Sequence, residues 1–596
     1  MEGFFVPLVT RPEFTSSVTA DQSPKGFALH FTPKGDDART GPAHTVTAAT
    51  PAKQKNHTPL SSAGDSRETK KTVTPVKPKI LDFYLQGYDQ EKRSKLVEGF
   101  RSGFDMHCTL QKLSKFAAND ASIRQNSEIV AAKLQEELES GRIKGPFKTP
   151  PFEQYHVSPL KLVPKKTPGK FRLIHNLSFP YDHNSVNASI DHAHSTVQYS
   201  SIQDAIRHIQ AVGPRCFMVK SDIANAFRII PIAEKYHHLL CFKFRNEYYY
   251  DTCLAMGASC SCQIFEEFSS ALQWILEKKF KIDHCTHILD DFLFISASQA
   301  LSKHSLNSWL TLADHVGVPL AWDKTTEPAQ LCIFAGIELC TISMSAQLPL
   351  EKLRRYGKFI EETKTHRKIT LQDMQSLIGC LQFATSVVLP GRAFLRRLID
   401  TTIGIRKPFH YVTVNTEAKS DLHMWQDFLQ NHNGKSIFLP AVEGNSNDLN
   451  LFTDASSKAC GAVYKSSWFM IPFPLSWQNK NIAFLELYPI LVALLVFGQD
   501  MNNSRVCFHT ENQAISHVIN KQSSKDKEIM KLIRPLVLCC MNHNISFKAK
   551  YIPGVTNVLP DRISRFQVTS HLLRKHRMSL QPTAVPRDLL PENFSL

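Results

Sequence analysis

Asp290 and Asp291 form an acidic pair inside the strongly apolar, β-favouring run from His287 to Ile295. Two adjacent carboxylates in such a run repel each other and are costly to bury. A tight turn between two strands relieves that cost if a divalent cation binds there. The run therefore predicts a hairpin with the acids at its turn. An ordinary exposed turn, where Asp is common, is the alternative.

A third acid, Asp222, ends an upstream strand that begins near Met218. One acid from that strand and a pair from a hairpin can hold two Mg²⁺ ions, which lower the pKa of an attacking 3′-hydroxyl and neutralise charge on a triphosphate. Between the two segments, a Gly/Ser-rich turn around Gly257 precedes a helix. Such a turn lets the backbone approach a nucleotide and its template base closely.

The charge of the chain suits a polyanionic partner, with nucleic acid as the first candidate. Lys and Arg number 70 against 54 Asp and Glu, a formal net charge of +16. The 596 residues, of which 42% are hydrophobic and 21% charged, exclude a wholly disordered or collagen-like chain and predict several domains. The 14 cysteines lack zinc-ligand spacing, so we interpret them as reduced thiols.

The sequence predicts neither export nor a membrane span. The N-terminus lacks a basic region followed by an apolar run, and the longest strongly apolar stretch, from Tyr488 to Gly498, is too short to cross a bilayer. We therefore expect an intracellular protein, cytoplasmic or nuclear or both, with no membrane partner.

Six motifs in a fixed order resemble those of reverse transcriptases. They extend over about 175 residues and comprise Val163-Pro-Lys165 with Gly169-Lys-Phe-Arg172, Asp222 with Phe227, Leu254 to Gly257, Leu289-Asp290-Asp291, Gly317 to Lys324, and Phe334-Ala-Gly336-Ile-Glu. The resemblance implies an RNA-directed DNA polymerase. Its partners would be an RNA template, a DNA primer, an RNA–DNA hybrid and dNTPs, and its cofactor two Mg²⁺ ions per active site, with Mn²⁺ as a possible substitute.

The resemblance also implies a role for each matching residue. Asp222 and Asp290 would hold the metals, with Asp291 in support. Lys165 and Arg172 would grip the triphosphate, since a long cation and a guanidinium fork suit that charge. Phe227 would be the ring that excludes a 2′-hydroxyl, Gly257 the glycine beside the nucleotide, and Lys324 the proton donor to pyrophosphate. A core aromatic and a solvated surface lysine are the alternatives for Phe227 and Lys324.

Four further acids, in order, resemble those of a ribonuclease H fused to a retroelement polymerase. In that family the four carboxylates hold two metals that activate water against an RNA phosphodiester. The matching residues are Asp454, Glu486, Glu511 and Asp561. The third acid is normally Asp, and Glu511 is one methylene longer. Tyr551 stands where many relatives carry a mobile His. Both departures favour, as an alternative, a polymerase with an impaired ribonuclease H.

The fold class expected from these resemblances is multidomain α+β: a right-hand polymerase of fingers, palm and thumb, followed by an α/β ribonuclease H-like domain. The predicted divisions begin with a disordered Pro/Ser/Thr-rich basic arm (1–80), a helical extension (81–145) and the fingers and palm (146–350). They continue with the thumb or connection (351–446), the ribonuclease H-like domain (447–566) and a flexible tail (567–596).

Three patterns are most similar to DIRS-type retroelements, which pair such an enzyme with a tyrosine recombinase. They are Leu377-Ile-Gly379 with Pro390-Gly-Arg392, the Leu-Asp-Asp box, and Ile552-Pro-Gly554 with Asp561-Arg-Ile-Ser-Arg565. This resemblance implies a retrotransposon enzyme, with an element-encoded recombinase and a capsid-like protein as possible partners. Hepadnaviral or other viral polymerases are the alternative family, and a catalytically inactive, host-adopted nucleic-acid-binding copy is the alternative function.

Overall fold

The computed structural model describes residues 73–165, 169–181, 184–431, 433, 435–436 and 449–594. Residues 1–72 of the predicted basic arm lie outside the described residues. Within its last eight residues the chain is anchored to the domain, because Val76 is 3% exposed and the N–H of Lys77 donates to the carbonyl of Val316 at 2.7 Å. The arm therefore ends earlier than we predicted, since Val76 finds an apolar partner surface far along the chain.

Residues 78–175 form four helices and three strands. The helix Ser127–Glu139 carries apolar residues at helical spacing, and Val130 and Leu134 are buried. An antiparallel strand pair flanks residue 169. The elements are α1 (Pro78–Tyr84), α2 (Gln90–Ser102), α3 (Ala121–Gln125), α4 (Ser127–Glu139), β1 (Ile143–Phe147), β2 (Leu160–Pro164) and β3 (Phe171–His175), with β2 and β3 antiparallel.

Residues 202–316 contain three helices, one complete three-stranded antiparallel sheet, and two strands that form a further such sheet with β1. One sheet has the order β1-β6-β5 and the other β4-β8-β7. The helices cover the second sheet with apolar side chains, and Trp309 stacks on Phe292 at a ring-centroid distance of 4.5 Å. The elements are α5 (Ile202–Val212), β4 (Phe217–Asp222), β5 (Cys241–Phe244), β6 (Glu247–Asp251), α6 (Ser261–Lys279), β7 (Cys285–Ile288), β8 (Asp291–Ser296) and α7 (Gln299–Val316).

Residues 331–436 are mainly helical among their described residues. A four-stranded sheet of order β14-β11-β10-β9 begins and ends the segment, and a two-stranded ribbon, β12-β13, joins the helices. The elements are β9 (Leu331–Phe334), β10 (Ile337–Cys340), β11 (Ser345–Gln347), α8 (Leu350–Thr365), β12 (Lys368–Thr370), α9 (Leu371–Ala384), α10 (Arg396–Asp400), β13 (Tyr411–Thr413), α11 (Thr416–Asn431) and β14 (Lys435–Ser436).

Residues 449–575 form an α/β domain around a five-stranded sheet of order β17-β16-β15-β18-β19. The central strand β15 pairs antiparallel with β16 and parallel with β18. The elements are β15 (Leu449–Ala455), β16 (Ala459–Tyr464), β17 (Ser467–Pro472), α12 (Ile482–Phe497), β18 (Arg505–Thr510), α13 (Gln513–Lys521), α14 (Lys527–Asn542), β19 (Ser546–Tyr551), α15 (Val558–Ser564) and α16 (Ser570–Lys575).

Helix α12 is the apolar core of this domain. Together with the turn that follows it, Ile482–Met501 is long and apolar enough to cross a membrane, and among the described residues no other helix meets that test. The most apolar part of this stretch is 72% buried inside the protein. It packs between the sheet and α14, and its burial accounts for its apolar composition.

The C-terminal residues correct our prediction of a flexible tail. Residues 567–594 pack against the α/β domain: Leu573 is 3% exposed, and the indole N–H of Trp468 donates to the carbonyl of Ser579 at 2.8 Å. The ring of Phe594 lies 5.1 Å from that of Tyr488. The prolines in this segment prevent a long helix, but its widely spaced apolar side chains still find partners on the domain surface.

Candidate active sites

The predicted acidic hairpin is present, and it meets the strand that ends in Asp222. Strands β7 and β8 are joined by a two-residue turn, Leu289-Asp290, and β4 pairs with β8 so that Asp222 lies opposite Asp291. The N–H of Ile223 donates to the carbonyl of Asp290 at 2.8 Å. Pairing between the two strands thus brings together three acids that are up to 69 positions apart.

Two lysines neutralise part of this acidic cluster. The Nζ of Lys324 lies 2.8 Å from Asp222 Oδ1, and the Nζ of Lys220 lies 3.0 Å from Asp291 Oδ2. Burial, and then the charge of Asp222, raises the pKa of Asp290. Burial raises the pKa of Asp291 to about 6 against the opposing effect of Lys220. The cluster therefore carries more negative charge than its surroundings stabilise.

A cavity of about 440 Å³ opens beside the acids. Its lining includes the acids Asp222 and Asp290 and the cations Lys133, Lys165, Arg172 and Lys324. Partial burial, and then the neighbouring charges of Lys133 and Arg172, lowers the pKa of Lys165. Such a group of mutually repelling cations favours a bound anion, so the cavity offers carboxylates for metal ions and cations for a polyphosphate.

Three predicted site residues lie beside this cavity rather than in its lining. Asp291 pairs with Lys220. Phe227 packs edge-on against Phe265, with ring centroids 5.6 Å apart, while its neighbour Ala226 lines the cavity. At Gly257, an added Cβ would lie 1.8 Å from the carbonyl oxygen of His175. The glycine is therefore required by backbone packing between two loops, a reason that our prediction of nucleotide contact did not include.

A buried ionic network in the cavity was missed by the sequence analysis. Arg228, directly after Phe227, contacts Asp251 Oδ1 and Glu137 Oε2 at 2.8 Å each. His175 Nδ1 lies 2.8 Å from Asp251 Oδ2. These contacts join α4, β3 and β6 to the segment that follows Asp222. The only sequence signal was an arginine in an otherwise apolar stretch, because its partners are distant in the chain.

A buried carboxylate on α6 supports the acidic hairpin from behind. Glu266, 8% exposed, accepts the N–H of Leu289 at 3.1 Å, and its Oε1 lies 3.1 Å from His287 Nε2. Leu289 has φ +54°, a left-handed conformation that is strained for a leucine and typical of glycine at this turn position. Helix α6 thus holds a strained turn at the position of the catalytic candidates.

The second group of acids converges at one end of the C-terminal sheet. Asp454 ends β15, Glu486 lies on α12, Glu511 follows β18 and Asp561 lies on α15. Burial, then Asp454 and Glu511, raises the pKa of Glu486 to about 8. Burial and Asp454 also raise the pKa of Glu511. The four predicted residues are therefore neighbours, although they belong to four separate elements.

Hydrogen bonds satisfy this second group only in part. Ser564 Oγ donates to Asp454 Oδ2 at 2.5 Å, and Arg565 Nε donates to Asp561 Oδ1 at 2.5 Å. Glu511 Oε1 is buried and lacks a hydrogen-bond partner among the described residues. A Cβ at Gly554 would lie 2.6 Å from Glu511 Oε2, so the glycine makes room for the longer acid.

Both acidic clusters fit divalent cations through the chemistry of their donors. Within the described ranges, no three His, Cys, Asp or Glu side chains stand in a ready-made metal-binding arrangement. Asp291 Oδ1 and Glu511 Oε1 are nevertheless buried without hydrogen-bond partners there. Carboxylate oxygens are the ligands that Mg²⁺ prefers. Lys324 and Lys220 would have to move from their present partners for the first cluster to bind ions.

Comparison with known families assigns a family to the residues around the first acidic cluster. The family profile described as reverse transcriptase (RNA-dependent DNA polymerase) matches residues 163–339, a range that begins within β2 and contains β3, Asp222 and the acidic hairpin. Residues 163–339 are a reverse transcriptase domain. A comparison with curated proteins gives no match.

Solved structures similar to this chain include two foamy viral enzymes bound to nucleic acid. The foamy viral protease-reverse transcriptase dRH in complex with double-stranded DNA matches with a TM-score of 0.47 and 14% identity, over 82% of this chain and 84% of that chain. The foamy viral protease-reverse transcriptase in complex with an RNA/DNA hybrid has a TM-score of 0.44 and 14% identity, over 85% of this chain and 65% of that chain.

The predicted fold class is confirmed. The chain is multidomain α+β, with a right-hand polymerase arrangement around the reverse transcriptase domain and an α/β domain after it. The cavity between the β2–β3 hairpin and the acidic hairpin lies inside the reverse transcriptase domain, apart from lining residues contributed by α4 and β1.

Proposed function

We propose that the protein is an RNA-directed DNA polymerase that extends a primer by two-metal nucleotidyl transfer. The observation that carries this proposal is the cavity of about 440 Å³, whose lining contains both the acids Asp222 and Asp290 and several cations, Lys165 and Arg172 among them. A nucleoside triphosphate with its metal ions needs both kinds of group within a few ångströms of each other. The reverse transcriptase domain supplies the family context.

In this mechanism Asp222 and Asp290 would hold the metals, and Asp291 would support them once Lys220 has moved away from it. Bound Mg²⁺ would lower the pKa of the primer 3′-hydroxyl and neutralise charge on the departing pyrophosphate. Lys165 and Arg172 hold the triphosphate. Lys324 lines the same cavity, and its ammonium group can donate a proton to pyrophosphate once it has moved away from Asp222.

The test is template-directed incorporation of dTTP on poly(rA)/oligo(dT) in Mg²⁺. We expect incorporation that requires the template and stops when EDTA removes the metal. The Arg172→Ala variant should raise the KM for dTTP by roughly tenfold or more, because a charge-assisted hydrogen bond to phosphate is lost. The matched control is Arg207→Ala, an exposed arginine on α5 that does not line the cavity. Absence of incorporation by a folded protein that binds the hybrid would contradict the proposal.

We propose further that Asp454, Glu486, Glu511 and Asp561 hold metals for hydrolysis of the RNA strand in RNA–DNA hybrids. Their convergence and the unpaired Glu511 Oε1 support this. The alternative is a polymerase whose nuclease is impaired by the longer side chain of Glu511, since Mg²⁺ requires near-ideal octahedral geometry.

Restoring the shorter acid distinguishes these two versions. If Glu511 impairs the nuclease, Glu511→Asp should raise hybrid cleavage at least about tenfold, the change expected when catalytic geometry improves. Polymerase activity should stay the same and serves as the internal control. Cleavage by the wild type that falls in Glu511→Asp would instead show that the site is adapted to the longer acid.

The charge on Glu486 predicts a pH-dependent stability. Burial and the charges of Asp454 and Glu511 raise the pKa of Glu486 to about 8. The folded protein therefore binds the proton of this carboxyl group more tightly than the unfolded chain does. The protonated carboxyl group of Glu486 makes its full contribution to the free energy of unfolding below about pH 4.5, and this contribution is lost as the pH rises through about 8. In EDTA, Glu486→Gln should therefore raise the Tm more at pH 8 than at pH 5. Equal Tm changes at the two pH values would contradict the raised pKa.

We infer that the chain belongs to a retroelement of the DIRS type, on the three patterns quoted above. Its further partners would then be an element-encoded recombinase and a capsid-like protein, with the RNA template and DNA primer as nucleic-acid partners. A tyrosine recombinase gene beside the gene for this chain would support the assignment, and an integrase gene of retroviral type in that position would contradict it.

A further inference from the structure

An exposed patch of aromatic and basic side chains lies on the β12–β13 ribbon, among helices α8 to α11. Phe409 and Tyr411 are 68% and 67% exposed. Four cations accompany them in the same two chain segments: Arg367, Lys368, Arg406 and Lys407. All four are exposed. We call these six residues the ribbon patch.

The strand register explains why the patch faces outward. Ile369 pairs with Val412, which is 0% exposed, so this pair turns toward the core. Lys368 and Tyr411 are one position away from that pair, on opposite strands, and therefore project from the other face. The face that carries the patch is the solvent face of the ribbon.

Backbone hydrogen bonds hold the loop before β13 in place. The N–H of Leu371 donates to the carbonyl of His410 at 2.7 Å, and the N–H of Gln372 donates to the carbonyl of Pro408 at 3.0 Å. The N–H of Val414 donates to the carbonyl of Arg367 at 3.0 Å and extends the ribbon. Phe409 and Tyr411 are thus presented by an anchored backbone, which lowers the entropy lost when a ligand binds.

The positive charge of the ribbon patch favours a negatively charged partner. Residues 366–372 and 403–416 contain four Lys and Arg residues and no Asp or Glu. The Nζ of Lys407 lies 5.9 Å from the centre of the Phe409 ring, so charge and ring surface are adjacent. Exposed rings interleaved with cations fit a strand whose bases stack on the rings while its phosphates meet the cations.

We propose that the ribbon patch binds unpaired nucleotides of a nucleic-acid strand. Bases in a duplex are already stacked and paired, so they cannot cover two separate exposed rings without opening. The proposal goes beyond the polymerase and nuclease sites, because none of the six residues belongs to either acidic cluster or to the cavity. It concerns binding and does not depend on catalysis.

The test compares two single-stranded oligonucleotides of equal length on the full chain, one of mixed sequence and one abasic. Fluorescence anisotropy is measured with unlabelled blunt-ended hybrid present to occupy the duplex-binding surface. We expect wild type to prefer the strand with bases, and the double variant Phe409→Ala/Tyr411→Ala to lose that preference, with a roughly tenfold or greater rise in Kd. Abasic-strand affinity should be unchanged.

The matched control is Phe83→Ala, a phenylalanine on α1 that is 63% exposed and follows Asp82. It should leave both affinities unchanged.

A second variant, Lys368→Gln/Lys407→Gln, should weaken binding of both strands alike and reduce the dependence of that binding on salt. Unchanged affinity for the strand with bases in a double aromatic variant of wild-type Tm would overturn the proposal. An equal loss for the strand and the blunt hybrid would overturn the assignment to unpaired nucleotides. Primer extension in the same preparation reports separately on the proposed polymerase function.

Discussion

Asp290→Asn is expected to abolish template-directed DNA synthesis while leaving the fold intact. Asn retains the shape of Asp but loses the charge that holds a metal. Metal ions contribute several kcal/mol to stabilising the transition state, so the rate should fall at least about a thousandfold. Affinity for an RNA–DNA hybrid should change little, because that affinity comes mainly from contacts with the phosphate backbone.

The same substitution should also stabilise the metal-free protein. Burial and the charge of Asp222 raise the pKa of Asp290, so its negative charge opposes folding above its unfolded-state pKa. Asp290→Asn removes that charge and should raise the Tm in EDTA at neutral pH. A loss of activity together with a lower Tm would point to a structural role instead. Asp283→Asn is the matched control, since Asp283 is exposed and lies just before β7, outside the acidic cluster.

The comparison of wild type with Asp290→Asn also tests the hypothesis that the chain is an inactive nucleic-acid-binding copy. If wild type and Asp290→Asn both bind the hybrid and neither incorporates dTTP, the binding-only hypothesis is favoured over the polymerase. If wild type alone incorporates dTTP, the acids of the hairpin carry the reaction.

Glu266→Leu is expected to lower kcat for DNA synthesis by roughly a hundredfold, the effect of displacing catalytic groups by about 1 Å. Glu266 accepts the N–H of Leu289, and leucine would leave that N–H without its partner in a strained turn. The turn carries Asp290, so relaxation of Leu289 would move the carboxylate. The KM for dNTP should change less than kcat, because Lys165 and Arg172 lie on a different hairpin.

Glu266→Gln is the matched control for this prediction. Glutamine keeps an oxygen that can accept the N–H of Leu289, so it should retain most of the wild-type kcat. The ratio of kcat values for the two variants therefore measures the hydrogen bond rather than the bulk of the side chain. Equal kcat values for Glu266→Leu and Glu266→Gln, at similar Tm, would show that the position of the turn does not depend on this contact.

Local patterns in the sequence predicted the elements that carry the acids. The apolar run around Asp290 formed the expected hairpin because β-favouring residues on both sides of a two-residue turn leave few other arrangements. The order of the motifs was enough to identify the reverse transcriptase domain. The predicted tail failed for the opposite reason: its apolar residues are too widely spaced to show a period, and they become buried only against a domain that has already folded.

The sequence by itself determined which acids end strands or occupy turns, because those choices depend on neighbouring residues. Only the tertiary structure decided which groups face them. Lys324 and Lys220 pair with Asp222 and Asp291, and Glu266 supports the turn at Leu289. Gly257 is required by the carbonyl of His175. Contacts of this kind join residues from tens to about a hundred positions apart, and their distances are set by the packing of sheets and helices rather than by any local pattern.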